Sequence, residues 1–210
     1  MSCVARGILR SVNLRSSALW TAIAALCALG GWFFGRSSIT YPLEGSPEVV
    51  FARDMRAHHE QAVDMSLRVL ERTSDQELRL FATDILLTQQ NQAGQMTAWL
   101  TLWGRAQSGS SAPMAGMQGM MGMASAAQVQ QISALPVKDA QILFLQLMYR
   151  HHEGGIRMAQ TALDGNPRSE VTRLASGIVT GQRVELKVIE SLLRRFGGAL
   201  PAPLEPSAPR

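Results

Sequence analysis

The sequence MRAHHE at residues 55–60 returns as MYRHHE at residues 148–153, and these two copies govern the interpretation of the whole chain. All four histidines of the 210-residue protein lie in these two adjacent pairs. Each pair is followed by a methionine at the same spacing, Met65 in the first copy and Met158 in the second. Because the histidines occur only in these two copies of one pattern, we expect the two pairs to have the same chemical role.

The repeat extends well beyond the histidines. A shift of 93 positions without a gap aligns the two copies over about two helices each. The equivalent pairs include Phe51 and Phe144, Met55 and Met148, Leu70 and Leu163, Ile85 and Ile178, Gln89 and Gln182, and Gly104 and Gly197. Unrelated amphipathic hairpins share apolar positions, but not a His-His-Glu triplet and a glutamine as well. The sequence therefore predicts a duplicated helical hairpin.

Composition and periodicity favour an all-α fold, because strand-like alternation is scarce and only 6% of residues are aromatic. Ser46 and Pro47 are typical of a helix start, and Ser74 begins a capping-box pattern at a second start. We predict a four-helix bundle made of two hairpins. The expected segments are hairpin 47–104, a Met/Gly/Ser-rich linker 105–137, hairpin 138–198 and a disordered Pro-rich tail 199–210.

The N-terminal segment has the pattern of a membrane anchor. Basic residues in 1–15 precede an apolar run at 16–35, which as a helix would span about 30 Å, and a linker 36–46 follows. The charge asymmetry predicts a single-pass transmembrane helix in the inner membrane, with the domain in the periplasm. Cleavage near residues 28–31, which would release a soluble periplasmic domain, stays open as an alternative.

The positions of the cysteines and the distribution of charge limit which metal ligands and binding partners are expected. Cys3 and Cys27 both precede the predicted domain, so a metal ion there would be held by His, Met, carboxylate or amide groups. The net charge of +4 is spread along the chain, without the basic and aromatic clusters of a nucleic-acid surface. Nucleic acid is therefore not an expected partner.

The two hairpins are predicted to bring their polar core residues together. With the first and third helices parallel and related by a pseudo-twofold axis, both histidine pairs would lie at one height. The first expected layer holds His58, Gln89, His151 and Gln182, and the next holds Met55, Gln92, Met148 and Glu185. Burying so many polar groups is costly unless they bind one another, water or an ion.

The donor set points to copper. Imidazole suits several transition metals, whereas thioether adds a preference for Cu(I). Alternatives remain, because inward methionines often only fill a core, and Gln89 and Gln182 would also suit hydrogen bonds that set the bundle register. The methionines of the linker favour a soft-metal role. The candidate metal ligands are His58, His59, His151, His152, Met55, Met65, Met96, Met148, Met158 and Glu185.

The doubled Met-x-x-His-His motif, each copy followed by a helix bearing Gln-x-x-(Glu or Gln), resembles the bacterial family called domain of unknown function 305. The resemblance covers about residues 47–198 and implies a ferritin-like four-helix bundle of the periplasm, similar to the copper-binding CopM-type proteins. It makes the four histidines and nearby methionines candidate copper ligands. The sequence departs from the family pattern at Gln92 and Ile189, and Gly154-Gly155 is expected to loosen the third helix.

Several functions compete. The first is a membrane-anchored copper-binding protein for buffering, resistance or delivery, with an unknown protein as metal donor or acceptor. A b-type haem bundle and a metal-free interaction module are the alternatives. A di-iron enzyme needs Glu-x-x-His on two helices, and no histidine here follows a glutamate at that spacing, so no enzymatic activity is expected.

Overall fold

The computed structural model describes residues 9–35, 40–109 and 121–204, and these residues form six helices without a β-strand. The predicted all-α class is confirmed. The chain divides into two compact units, Met1–Tyr41 and Pro42–Arg210. Met114, Met117 and Met120 of the linker lie outside the described residues.

The first unit contains helix α1, Leu9–Gly35, which includes the predicted membrane anchor. Across the described part of the chain, none of the helices is both long enough and apolar enough to cross a bilayer. The transmembrane helix predicted at 16–35 is therefore not confirmed.

The second unit begins with a helical hairpin of α2 (Pro47–Leu70) and α3 (Gln76–Leu102). Ser46 caps α2 by accepting a hydrogen bond from the Val49 backbone N–H, and Pro47 is the first helical residue, as the sequence predicts. Asp75, rather than the predicted Ser74, caps α3, because its carboxylate accepts from the Leu78 N–H at 2.9 Å. A carboxylate at this position also complements the helix dipole.

The second hairpin consists of α5 (Val137–Asp164) and α6 (Ser169–Phe196), and a short helix α4 (Ala126–Ala134) precedes it. Helix α4 lies within the stretch interpreted from the sequence as linker. It starts with a full capping box between Ser125 and Gln128 and buries Val129 and Ile132 between α2 and α5. Nine residues with two inward apolar side chains give too weak a periodic signal for a sequence-based prediction.

The two hairpins pack against each other through α2 and α5. These two helices run antiparallel, so the predicted parallel arrangement is wrong. The beginning of α5 lies at the end of α2, where the Gln141 amide donates to the Thr73 hydroxyl at 2.7 Å. At the other end, a Cβ placed on Gly165 after α5 would lie 3.7 Å from Cβ of Pro47 at the start of α2. The contacts at both ends therefore show that α2 and α5 run in opposite directions.

The described parts of the connection between the hairpins contact α2 near its start, at its middle and at its end. The Arg53 guanidinium holds the Ala106 carbonyl at 3.0 Å, Gln61 holds the Ala124 carbonyl at 2.9 Å, and Arg72 holds the Leu135 carbonyl at 2.7 Å. Because α3 ends beside the start of α2, the chain must travel the length of α2 before α5 can begin. The long connection is thus what permits the antiparallel arrangement.

Reversal of one helix changes which core residues are neighbours. His58 and His151 lie near the middle of α2 and α5, so they stay level whichever way the helices run. Met55 and Met148 each lie three residues before these histidines in the chain. Because the two helices run in opposite directions, the two methionines lie on opposite sides of the histidine layer. The predicted layer of Met55, Gln92, Met148 and Glu185 is therefore wrong. Met148 instead joins the hydrophobic core that includes Met65 and Phe144.

Cysteine crosslinking tests the antiparallel direction. With Cys3 and Cys27 replaced by Ser, Pro47→Cys/Gly165→Cys should form an intramolecular disulfide, because the two Cβ atoms lie within the usual disulfide range of about 3.5–4.5 Å. Non-reducing electrophoresis detects the bond. Pro47→Cys/Val137→Cys is the matched control and should stay reduced, since a helix of this length separates its ends by roughly 35 Å. A crosslink in the control alone would restore the parallel arrangement.

Candidate metal centre

The four histidines form one buried layer where α2 crosses α5. All four side chains are fully excluded from solvent. The rings of His58 and His151 stack with centroids 3.6 Å apart and planes 26° apart. His59 and His152 flank this stack, with centroids 6.2 Å and 6.3 Å from their sequence neighbours. The predicted meeting of the two pairs is thus what the structure shows.

Every histidine places its Nε2 atom against an oxygen. The partners are the Met121 carbonyl for His58 (3.0 Å), the Gln92 amide oxygen for His59 (2.7 Å), the His58 carbonyl for His151 (2.8 Å) and the Glu185 carboxylate for His152 (2.6 Å). These oxygens only accept, so each Nε2 carries the proton and donates it. The lone pair of each neutral ring is then on Nδ1.

The four Nδ1 atoms are the notable groups of this layer, because each is buried without a hydrogen-bond partner. The amide groups of Gln89 and Gln182 are likewise buried and unpartnered. Leaving one such group unsatisfied costs about 1–3 kcal/mol. A cation that accepts nitrogen lone pairs is one occupant able to remove this cost, and a buried ring whose other nitrogen is held by an oxygen is the usual setting of a metal-binding histidine.

The ligands are not preassembled around one point. Within the described residues, no three His, Cys, Asp or Glu side chains converge closely enough to hold a metal ion. The lone pairs of His58 and His151 lie in two stacked ring planes and do not point at one another. Binding of one ion by both rings requires rotation of at least one of them. The stacking also leaves no room for a porphyrin between these two rings.

Burial keeps the imidazoles of His58, His59 and His151 neutral. Desolvation lowers the pKa of His58 from its ordinary 6.5 to about 3 and the pKa of His59 to about 4. The pKa of His151 lies well below 6.5 for the same reason, and the adjacent His58 lowers it further. Neutral imidazole is the form that binds metal ions.

A backbone segment that we call the strap, residues 121–124, closes the layer beside His58. Besides the Met121 carbonyl, it is held by a reciprocal pair in which the Gln61 side chain donates to the Ala124 carbonyl and accepts from the Ala124 N–H, at 2.9 and 2.8 Å. The close approach needs glycine: a Cβ on Gly154 would collide with the Met121 carbonyl, and Gly122 has a φ of +68°. Gly154 therefore gives the strap room to approach α5, whereas the sequence predicts that this glycine loosens α5.

A groove between α3 and α6 reaches the layer from the other side. It has a volume of about 390 Å³ and is lined by Gln92, Gln95 and Trp99 of α3 and by Glu170, Arg173, Leu174 and Gly177 of α6. Gln92 both lines this groove and hydrogen-bonds His59. His59 is therefore one side chain away from solvent.

The predicted methionine ligands have different surroundings. Met55, Met65, Met96 and Met148 are fully buried, whereas Met158 is partly exposed. Met65 and Met148 pack with apolar neighbours in the main core. Gln89 and Gln182 are both buried, and Gln182 lies against Gly155 of α5. Sequence reasoning missed the backbone carbonyls of Met121 and His58, and a main-chain acceptor leaves no residue pattern by which to find it.

The fold and the buried layer define an all-helical protein built from two hairpins around a histidine core. The family model for the domain of unknown function (DUF305) matches residues 48–193, and the chain belongs to this family. The family resemblance seen in the sequence is thereby confirmed. No protein of curated function matches the chain.

Several solved structures are similar to this chain. A DUF305 fragment from Deinococcus radiodurans is 42% identical, with a TM-score of 0.67 over 73% of this chain and 99% of that one. A DUF305 protein from Streptomyces coelicolor is 41% identical, with a TM-score of 0.69 over 74% and 97%. CopM in its Cu(I)-bound form is 21% identical, with a TM-score of 0.59 over 72% and 98%, and this likeness shows the fold alone.

The lowered histidine pKa values predict acid sensitivity. Below about pH 6.5 the unfolded chain binds protons that the folded chain excludes, so the contribution of these histidines to stability is complete above that pH and is lost as pH falls towards 4 for His59 and towards 3 for His58. The free energy of unfolding of the metal-free protein should fall by about 1.4 kcal/mol per pH unit for each such histidine. Urea unfolding from about pH 7.5 to 5 measures it, and His58→Gln should reduce the slope. Equal stability at both ends of that range would contradict the buried neutral layer.

Glycine replacement tests the strap. Gly154→Ala should destabilise the protein by about 1–3 kcal/mol, because the added methyl group meets the Met121 backbone and not a flexible side chain. Gly181→Ala in α6 is the matched control, since no atom lies within 4 Å of its added Cβ. That control should be neutral or up to about 1 kcal/mol more stable. Equal effects of the two changes would show that the strap does not rest on α5.

Proposed function

We propose that this protein binds copper outside the cytoplasm for buffering, resistance or delivery. The observation that carries the proposal is the set of four buried Nδ1 atoms without partners, each on a ring whose Nε2–H is held by an oxygen. Such rings are oriented donors for a transition-metal ion.

The other donors on the chain favour copper among the transition metals. Thioether groups of Met55 and Met96 are buried in the same hairpin as His58 and His59, and the unit Pro42–Arg210 contains no cysteine. Imidazole with thioether and without thiolate suits copper in both oxidation states. CopM, which has a similar fold, has solved structures in Cu(I)-bound and Cu(II)-bound forms.

Location and partners are part of the same proposal. Export is supported by Arg6, Arg10 and Arg15 ahead of the apolar run. The proposal includes attachment to the inner membrane through α1 and a separate protein that donates or accepts the metal. It also includes the assignment of the bundle to the ferritin-like folds. The role proposed is binding and not catalysis.

Copper titration tests the function. Replacement of all four histidines by Gln should weaken Cu(I) and Cu(II) binding at least about 100-fold, or about 2.7 kcal/mol, because it removes every buried imidazole donor. Competition with a coloured chelator measures affinity, and circular dichroism checks folding. Ser66→Ala, which changes another fully buried polar side chain of α2, is the control and should bind as the native chain does. Unchanged affinity in the four-histidine variant would contradict the proposal.

A further inference from the structure

His59 and His152 occupy equivalent positions of the two halves but have chemically different partners. His59 donates to the Gln92 amide at 2.7 Å and His152 donates to the Glu185 carboxylate at 2.6 Å, with the same separation of 33 residues along the chain. Within the described residues, Glu185 is the one carboxylate bonded to a histidine. The geometry of the two pairs is therefore shared, and only the charge differs.

The charge changes the donor strength of the ring. A carboxylate that accepts an imidazole N–H forms a stronger hydrogen bond than an amide does and raises the basicity of the opposite nitrogen. For His152 that opposite nitrogen is the unpartnered Nδ1. His152 is thus a better metal ligand than His59.

The charge also offsets the cost of burying a cation. The side chain of Glu185 is only 16% exposed, so its negative charge acts through a poorly screened interior. Gln92 supplies no charge on its side of the layer. The single negative charge of Glu185 beside His152 therefore offsets the charge of one monovalent ion.

We propose that the chain holds a single copper ion tightly, on the His152 side of the layer, and that Glu185 determines this preference. Glu185 is a positioning residue that acts through His152, because its Oε2 atom is engaged by the His152 N–H. This assignment differs from the ligand role suggested by the sequence, and it rests on the proposed copper-binding function.

The first experiment measures Cu(I) affinity of the full chain by competition with a coloured chelator under reducing conditions. Glu185→Gln should weaken binding about 10- to 100-fold, the usual effect of removing a carboxylate behind a metal-binding histidine. Folding should survive, since Gln92 makes the same contact in the other half. Glu77→Gln removes a carboxylate whose side chain is 60% exposed and is the control for loss of charge alone. It should bind as the native chain does.

The second experiment exchanges the partners. Gln92→Glu/Glu185→Gln keeps the net charge and moves the carboxylate from His152 to His59. In the native chain, His152→Gln should weaken binding more than His59→Gln does. In the exchanged chain the order should reverse, which a purely structural effect of these residues would not produce.

The outcomes separate the inference from the function beneath it. If the four-histidine variant loses copper while Glu185→Gln and the native chain bind equally, or the order does not reverse, the role of Glu185 is overturned and copper binding stands. If the native chain binds no copper, the proposed function itself is overturned. Weakening by Glu185→Gln together with reversal in the exchanged chain establishes the inference.

Discussion

The contact of α2 with α5 at the stacked rings of His58 and His151 is the constraint on which the rest of the structure depends. The His151 ring donates to the His58 carbonyl at 2.8 Å, an unusual acceptor because a helical carbonyl normally serves its own helix. Both side chains are fully buried, so this contact sets the spacing and register of the two hairpins. The neighbouring polar groups take their positions from it.

The strap makes this central contact asymmetric. A strict pseudo-twofold would have His58 donate to the carbonyl of His151, but the carbonyl of Met121 accepts that proton instead. The chain between the hairpins therefore does more than join them. It supplies an acceptor to the core, and Gly122 and Gly154 provide the space for it.

The sequence predicted much of this arrangement because helix periodicity and capping are local. The start of α2 at Pro47 and the meeting of both histidine pairs inside the protein follow from nearby residues. Helix direction is different: an amphipathic stripe is equally apolar read from either end, so the pattern does not distinguish parallel from antiparallel neighbours. The backbone acceptors of the core are invisible for a related reason, since every residue carries a carbonyl.

The antiparallel crossing of two equivalent helices has the symmetry of a homodimer interface, in which the same patch meets itself. Joining two such hairpins in one polypeptide replaces a concentration-dependent association by an intramolecular one with a high effective concentration. It also frees the copies to diverge, which two identical subunits cannot do. Gln92 in the first copy occupies the position of Glu185 in the second, and two identical subunits could not have this difference.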